Sequence, residues 1–233
     1  MNTYNANSGY EMDPQLLTHF NHHLDSLFGV YSKLLPFRMD FAYRKNTFSY
    51  GCVCRYAMCA EMLQLINEVG DKLVGYAWVM EYTERKGLHI HFVGYLNGQI
   101  HRSSYLVSRL MGDIWRRVTE GNGYYHWCRF NKNYPVNINH VIHYSDHKAV
   151  NALRYAISYL AKREQKECGI ILKCSGLPEK SNRGRPRLDS PCRGYVLWCK
   201  PLNDKYGLVL IFAVGSGGHF SGTAHFLRRG HSV

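Results

Sequence analysis

The sequence predicts an α+β fold with a central antiparallel sheet of about five strands, helices on its faces and a basic C-terminal extension. The first observation behind this prediction is the alternation of apolar and polar residues in short segments, which is the period of a half-buried strand. The second is a set of longer segments between them, in which apolar residues recur at helical spacing. A length of 233 residues is enough to bury one sizeable core.

The helical signal appears in four segments, at about residues 13–28, 56–69, 103–119 and 146–166. The first begins at Asp13-Pro14, because proline is favoured at the first position of a helix. Ser103 is the expected cap of the third segment, and Ser145 or Asp146 that of the fourth.

The strand signal appears in five segments, at about residues 37–44, 75–82, 88–93, 124–130 and 136–143. The second and third strands are separated by five residues that end in Gly87, and this glycine suits the return of a hairpin. With that loop length, Tyr82 pairs with Leu88 and Glu81 lies opposite His89.

Two histidines flank one aliphatic residue in the third predicted strand. Side chains alternate between the faces of a strand, so His89 and His91 share one face and Ile90 and Phe92 share the other. In the predicted register, Glu81 joins the histidines and gives two nitrogen ligands and one oxygen ligand. This set suits Mg²⁺ or Mn²⁺ and can also hold Zn²⁺. The alternative is a strand with polar residues on a solvated, outward face.

A second candidate site lies on the fourth predicted helix. One face of this helix carries an aliphatic stripe made of Val150, Leu153, Ile157 and Leu160. Tyr155, Tyr159 and Lys162 follow i, i+4, i+7 spacing and form a second stripe roughly opposite the first. Because the aliphatic stripe already supplies the core contacts, we interpret the tyrosines and the lysine as a presented functional set. The alternative is that the tyrosines pack in the core.

The charge of the chain indicates the class of its partner. The formal net charge is +12 and the sequence pI is near 9.3. This excess implies a polyanionic partner, either nucleic acid or an anionic membrane surface. No apolar run approaches ~18 residues, and the first residues lack signal-peptide character, so we expect no membrane insertion. The eight cysteines show no paired spacing, which favours free thiols in a cytosolic protein.

Composition divides the chain into a disordered head at 1–11, a main domain at 12–175, a basic Gly/Pro linker or loop at 176–193, and a small β hairpin with a Gly-rich tail at 194–233. Within the linker, Arg183-Gly184-Arg185-Pro186 resembles the core of an AT-hook. Arg183, Arg185 and Arg187 are therefore candidate DNA-binding residues for an A·T-rich minor groove. The alternative is a solvated basic linker.

Together, the histidine and tyrosine motifs resemble the HUH endonuclease superfamily in its two-tyrosine branch. His89-Ile90-His91 is similar to the histidine–hydrophobe–histidine motif. Tyr155, Tyr159 and Lys162 are similar to the nucleophile motif of rolling-circle replication initiators of small single-stranded DNA phages. Residues 35–41 fall where those proteins carry their first motif strand. The similarity is strongest to inovirus-type replication proteins of filamentous phages and prophages.

The resemblance covers roughly residues 34 to 175. It implies that residues 12–175 form an HUH domain whose sheet is like that of an RNA-recognition motif. It also implies an endonuclease and strand transferase in which a divalent metal, Mg²⁺ or Mn²⁺, polarises a phosphodiester. Tyr155 or Tyr159 would attack, leaving a 5′-phosphotyrosine and a free 3′-OH, and Lys162 would orient the phosphate.

The same resemblance implies the partners. The expected substrate is single-stranded or origin DNA, which the protein nicks and later rejoins during rolling-circle replication. Host helicase and polymerase are the expected protein partners, in the cytoplasm of a bacterial host. Two other functions stay open: a catalytically silent prophage DNA-binding protein, and a metal-dependent hydrolase that uses water. The sequence does not indicate an oligomeric state.

Overall fold

The computed structural model describes residues 4–52, 54–164 and 171–176. The helices and strands of this part, in chain order, are α1 (Pro14–Val30), β1 (Lys33–Tyr43), α2 (Phe48–Cys52), α3 (Arg55–Val69), β2 (Gly75–Thr83), β3 (Gly87–Asn97), α4 (Tyr105–Val118), β4 (Gly123–Trp127), β5 (Ile142–His143), α5 (His147–Ser158) and β6 (Ile171–Cys174). Short 3₁₀ turns follow α3, at Gly70–Lys72, and α5, at Tyr159–Ala161. None of the helices in these residues is long and apolar enough to cross a membrane.

The strands form one antiparallel sheet, which confirms the predicted α+β class. The order across the sheet is β4-β1-β3-β2-β6, and β5 pairs with the other end of β1. Six strands take part among the described residues, against about five predicted. The additional strand, Ile171–Cys174, was missed because it is short and lies at the sheet edge beside β2.

Helices cover both faces of the sheet, and each face has its own buried cluster in the described residues. Helices α1 and α5 cover one face, where they pack on residues such as Val79 and Val93. The opposite face carries Phe41, Ile90 and Phe92 against α3 and α4. The alternation that predicted β1 and β3 therefore separates these two clusters.

Two of the predicted helix starts are confirmed by their caps. The Asp13 carboxylate accepts hydrogen bonds from the amides of Gln15 and Leu16 at the start of α1. Asp146, rather than Ser145, accepts from Ala149 at the start of α5. These contacts satisfy amides that have no partner within the first turn of the helix.

The predicted helix at 146–166 is corrected at its C-terminal end. Helix α5 ends at Ser158, and a 3₁₀ turn follows before the chain becomes extended at Lys162. Ser158 is fully buried, and its hydroxyl donates to the Tyr155 carbonyl and accepts from the Asn7 amide. Such side-chain bonds compete with the helical ladder, which accounts for the early end.

The N-terminal segment also differs from its prediction. Residues 4–11, expected to belong to a disordered head, lie against α5 and the 3₁₀ turn after it. The Asn5 side-chain amide donates to the Asn151 carbonyl, and the Arg163 backbone amide donates to the Glu11 carbonyl. Met12 then forms an isolated antiparallel bridge with Lys162.

Two predicted strands are shorter in the structure. The segment at 124–130 ends as a strand at Trp127, and the segment at 136–143 keeps only Ile142–His143. Between them, Ile138 is buried against the α1/α5 face while the backbone follows a loop. An apolar residue that packs from a loop gives the same local pattern as one in a strand. The predicted C-terminal regions, including Arg183, Arg185 and Arg187, lie outside the described residues.

Candidate metal centre and the adjacent tyrosine

The β2–β3 hairpin places the predicted acid beside the predicted histidines. Glu81 pairs with His89, Tyr82 with Leu88 and Thr83 with Gly87, which is the register predicted from the loop. Gly87 has a φ of 66°, a left-handed conformation that glycine adopts without strain. This conformation closes the short hairpin loop and fixes the register, so Glu81 lies on the same face as both histidines.

Glu81, His89 and His91 form a compact buried group. Their candidate ligand atoms all lie within 4.8 Å of one another. Glu81 Oε2 is 3.8 Å from His89 Nε2 and 3.3 Å from His91 Nε2. The three residues are only 2%, 2% and 3% exposed. The alternative interpretation, in which the histidines lie on a solvated, outward face, is therefore wrong, because the turn after α5 covers this end of the sheet.

Both imidazoles are oriented by hydrogen bonds at Nδ1. His89 Nδ1 lies 3.0 Å from the Gly87 carbonyl oxygen, and His91 Nδ1 lies 2.6 Å from Asp40 Oδ1. Each contact makes Nδ1 the donor and leaves Nε2 as the nitrogen that faces Glu81. Metal-binding histidines in proteins are commonly held this way by a carbonyl or carboxylate.

Asp40 is a part of the site that the sequence analysis did not single out. It lies on β1 directly across from His91. The alternation of β1 puts Asp40 on the less apolar face of that strand, which was a usable signal. The missing information was which strand lies beside β3.

Charges inside the group shift its pKa values. Burial opposes ionisation of Glu81, but His91 and Lys162 outweigh it and lower the pKa of this carboxyl to about 2. Burial lowers the pKa of His89. Burial acts in the same direction on His91, but the hydrogen bond to Asp40 and the Glu81 charge raise its pKa overall. Glu81 is thus ionised at neutral pH, as a metal ligand must be.

The donor set fits a divalent metal ion. Among the described residues, neither histidine Nε2 atom has a hydrogen-bond partner, although both are buried. Buried polar nitrogens without partners are costly, and a cation would satisfy both at once. Two nitrogens and a carboxylate oxygen are compatible with several divalent ions. The group could therefore hold a metal ion, and its residue types do not select one.

Tyr159 and Lys162 complete the surroundings of this group. Lys162 Nζ is 2.9 Å from Glu81 Oε2 and donates a 2.8 Å hydrogen bond to the Tyr159 hydroxyl. The Tyr159 ring lies edge-on to the His91 ring, with 5.0 Å between centroids, and Arg38 lies 5.3 Å from its centroid. Burial raises the pKa of Tyr159, and the hydrogen bond from Lys162 opposes that rise.

The three residues predicted as one exposed stripe separate in the structure. Lys162 is 1% exposed and points into the candidate metal centre, which corrects its expected place on a presented helical face. Tyr159 lies against the centre, in the 3₁₀ turn. Tyr155 is half-buried on α5, and no contact joins it to the metal group among the described residues.

Comparisons of this chain with models of protein families, with curated proteins and with solved structures give no match. The class of site is therefore defined by its geometry: a buried carboxylate–bis-histidine group beside a tyrosine and a lysine.

Proposed function

We propose that this chain is an HUH-type endonuclease that nicks single-stranded DNA through a tyrosine nucleophile. In its finer form, the proposal is a rolling-circle replication initiator of the two-tyrosine branch. The main observation in its support is that Tyr159 contacts both the metal group and Lys162. Its ring lies 5.0 Å from that of His91, and its hydroxyl accepts from Lys162, which also pairs with Glu81.

The residues suggest the following division of roles. Glu81, His89 and His91 would hold the cation, and Mg²⁺ or Mn²⁺ is the proposed ion. When bound, the metal supplies a positive charge that stabilises the growing negative charge on a phosphate oxygen. Asp40 keeps the His91 ring oriented through Nδ1.

Tyr159 is the nucleophile best placed for the first cut. Its oxygen would form a bond to phosphorus while the bond from phosphorus to the 3′ oxygen breaks, so the protein gains a 5′-phosphotyrosine and the DNA a 3′-OH. A phenol is a poor nucleophile until it is deprotonated, and the Lys162 ammonium stabilises the phenolate that results. Of the two candidate nucleophiles that the sequence gives, Tyr155 and Tyr159, the contacts favour Tyr159.

Tyr155 remains the proposed second nucleophile. In the two-tyrosine scheme, one phenol holds the old 5′ end while the other attacks the regenerated origin. Between these steps, host polymerase would extend the free 3′-OH, together with host helicase. The turn between Tyr155 and Tyr159 would have to move for both hydroxyls to reach one phosphate, since of these two tyrosines only Tyr159 contacts the centre in the described part of the chain.

A test of the proposal needs no knowledge of the origin sequence. Full-length protein is incubated with Mn²⁺ and 3′-labelled single-stranded oligonucleotides of randomised sequence, then separated on a denaturing gel. We expect a labelled protein–DNA band that survives denaturation. Tyr159→Phe should lose this band, because Phe keeps the ring and removes only the hydroxyl. Tyr155→Phe should keep it and fail in strand joining.

Other outcomes would identify the alternatives. Cleaved DNA without a covalent band would indicate a hydrolase that activates water. Binding without cleavage would indicate a catalytically silent DNA-binding protein. Loss of the band in Tyr155→Phe, with normal cleavage by Tyr159→Phe, would reverse the assigned order of the tyrosines.

A further inference from the structure

An open strip of the sheet lies beside the candidate metal centre. Two rows of cross-strand neighbours run from the centre to the edge strand β4. One row joins His91 to Asp40 and then to His126, and the other joins His89 to Ala42 and then to Tyr124. Cross-strand neighbours point to the same face, so the outer members of both rows share the face of the metal group.

The strip is exposed, whereas the neighbouring part of this face is covered by helices. Helices α1 and α5 pack on the part of the face formed by Val79 and Val93. In the strip, Asp40 and Ala42 are half-buried, and His126 is exposed. Tyr124 is 50% exposed, and no ring or hydrogen-bond contact of its side chain is found in the described residues. Its neighbours Tyr125 and Trp127 point the other way, against the α3/α4 cluster.

Positive charges flank this strip. Arg38 lies two positions before Asp40 on β1 and therefore on the same face, and Lys86 is exposed in the β2–β3 hairpin loop. Arg44 continues the alternation of β1 on the same face and is exposed, and its backbone amide donates a hydrogen bond to the Asn122 carbonyl. The strip therefore combines three positively charged side chains with the Tyr124 ring, which no protein group covers in the described residues.

We propose that this strip carries the single-stranded DNA that leads to the scissile phosphate, with an unpaired base stacked on Tyr124. The inference rests on the proposed function and extends it to residues outside the metal centre. An exposed ring stacks on any unpaired base, whereas the bases of a duplex are already stacked on one another. Arg38, Arg44 and Lys86 supply the charge that the backbone phosphates need.

The dimensions of the sheet fit this path. Tyr124 lies two strands away from His89, which corresponds to about 10 Å across the sheet. About two or three nucleotides span that distance. The stacked base would thus belong to a nucleotide near the cut, and Tyr124 would position the strand while making no contact with the reacting atoms.

A measurement of DNA binding under conditions that prevent cleavage tests this proposal. The full-length protein in chelator is titrated against a fluorescein-labelled oligothymidine of about ten nucleotides, and anisotropy is measured. We expect Tyr124→Ala to weaken binding by at least about fivefold, as loss of one base stack does. Tyr124→Phe keeps the ring and should bind as the wild type does. Tyr56→Ala is the matched control, since Tyr56 is 51% exposed on α3, which covers the opposite face.

Each result decides between the two proposals. Equal affinities of Tyr124→Ala, Tyr56→Ala and the wild type would overturn the strip and leave the nicking reaction intact. Loss of binding in Tyr124→Phe would overturn the stacking role. Failure of the wild type to bind the oligothymidine would overturn the strip and the proposed function together. An effect of Tyr124→Ala without any covalent adduct would support the strip and reject the nuclease.

Discussion

The buried ion pair between Lys162 and Glu81 gives a quantitative test of the candidate centre. The two side chains are 1% and 0% exposed, and the charged atoms lie 2.9 Å apart. Lys162→Met removes the ammonium and retains most of the aliphatic chain. In the metal-free protein, this change leaves the Glu81 carboxylate buried without the Lys162 ammonium beside it.

The expected loss of stability is large for a single substitution. Opposite charges about 4 Å apart attract by about 4 kcal/mol at an effective dielectric constant of about 20. Removal of one partner from a buried pair typically costs about 3–5 kcal/mol. We therefore expect the free energy of unfolding of Lys162→Met to fall by about 3–5 kcal/mol in the presence of a chelator.

Urea unfolding followed by circular dichroism measures this loss, and a double-mutant cycle with Glu81→Gln assigns it. The double variant removes both charges, so its loss should fall short of the summed single losses by at least about 2 kcal/mol. Mn²⁺ should restore more stability to Lys162→Met than to the wild type, because the cation supplies the missing charge beside Glu81. Arg109→Met, which breaks an exposed pair with Asp113, is the control and should change little. Additive losses, or a cost below about 1 kcal/mol, would refute a desolvated pair.

Two further predictions concern residues around and away from the centre. Asp40→Asn should weaken Mn²⁺ binding in a calorimetric titration by about 10- to 100-fold, because the carboxylate no longer orients His91; unchanged affinity would reject this support role. Burial lowers the pKa of His23 from 6.5 to about 4, so the unfolded chain binds the extra proton and stability falls as the pH drops through this window. The free energy of unfolding of the wild type should fall by about 2 kcal/mol between about pH 7 and pH 5. His23→Gln should not show this loss, and His22→Gln, at an exposed position, should retain it. The same pH dependence in both variants would contradict the assignment.

The hairpin was predictable from the sequence because its information is local. Gly87, a short polar loop and two apolar runs determine the register, and the register determines that Glu81 meets His89. The caps of α1 and α5 are local signals of the same kind. The contact between His91 and Asp40 is different, since the two residues are 51 positions apart and belong to strands that are not consecutive. Periodicity assigns each residue to a face and does not assign neighbours to strands.

The position of Lys162 could not be predicted from helical spacing for a physical reason. The i, i+4, i+7 pattern assumes that each residue adds 100° of rotation. That assumption fails after Ser158, where the chain tightens into a 3₁₀ turn and then extends at Lys162. The residues responsible lie far away in sequence, at Asn7 and Met12. The lysine therefore turns inward to Glu81, although the sequence places it on an exposed stripe.

The apolar stripe of α5 connects the core to the chemistry of the centre. Leu153 and Ile157 are buried against the sheet face that also carries Val79 and Val93. Two residues along from Glu81 and His91, toward the middle of the sheet, β2 and β3 carry Val79 and Val93 on this face. The helix is therefore anchored on apolar residues next to the charged group, and the 3₁₀ turn that follows it places Tyr159 against His91. The stripe that the sequence reveals as core packing thus also sets the position of Tyr159, the proposed nucleophile, because the turn that carries Tyr159 follows directly from this helix.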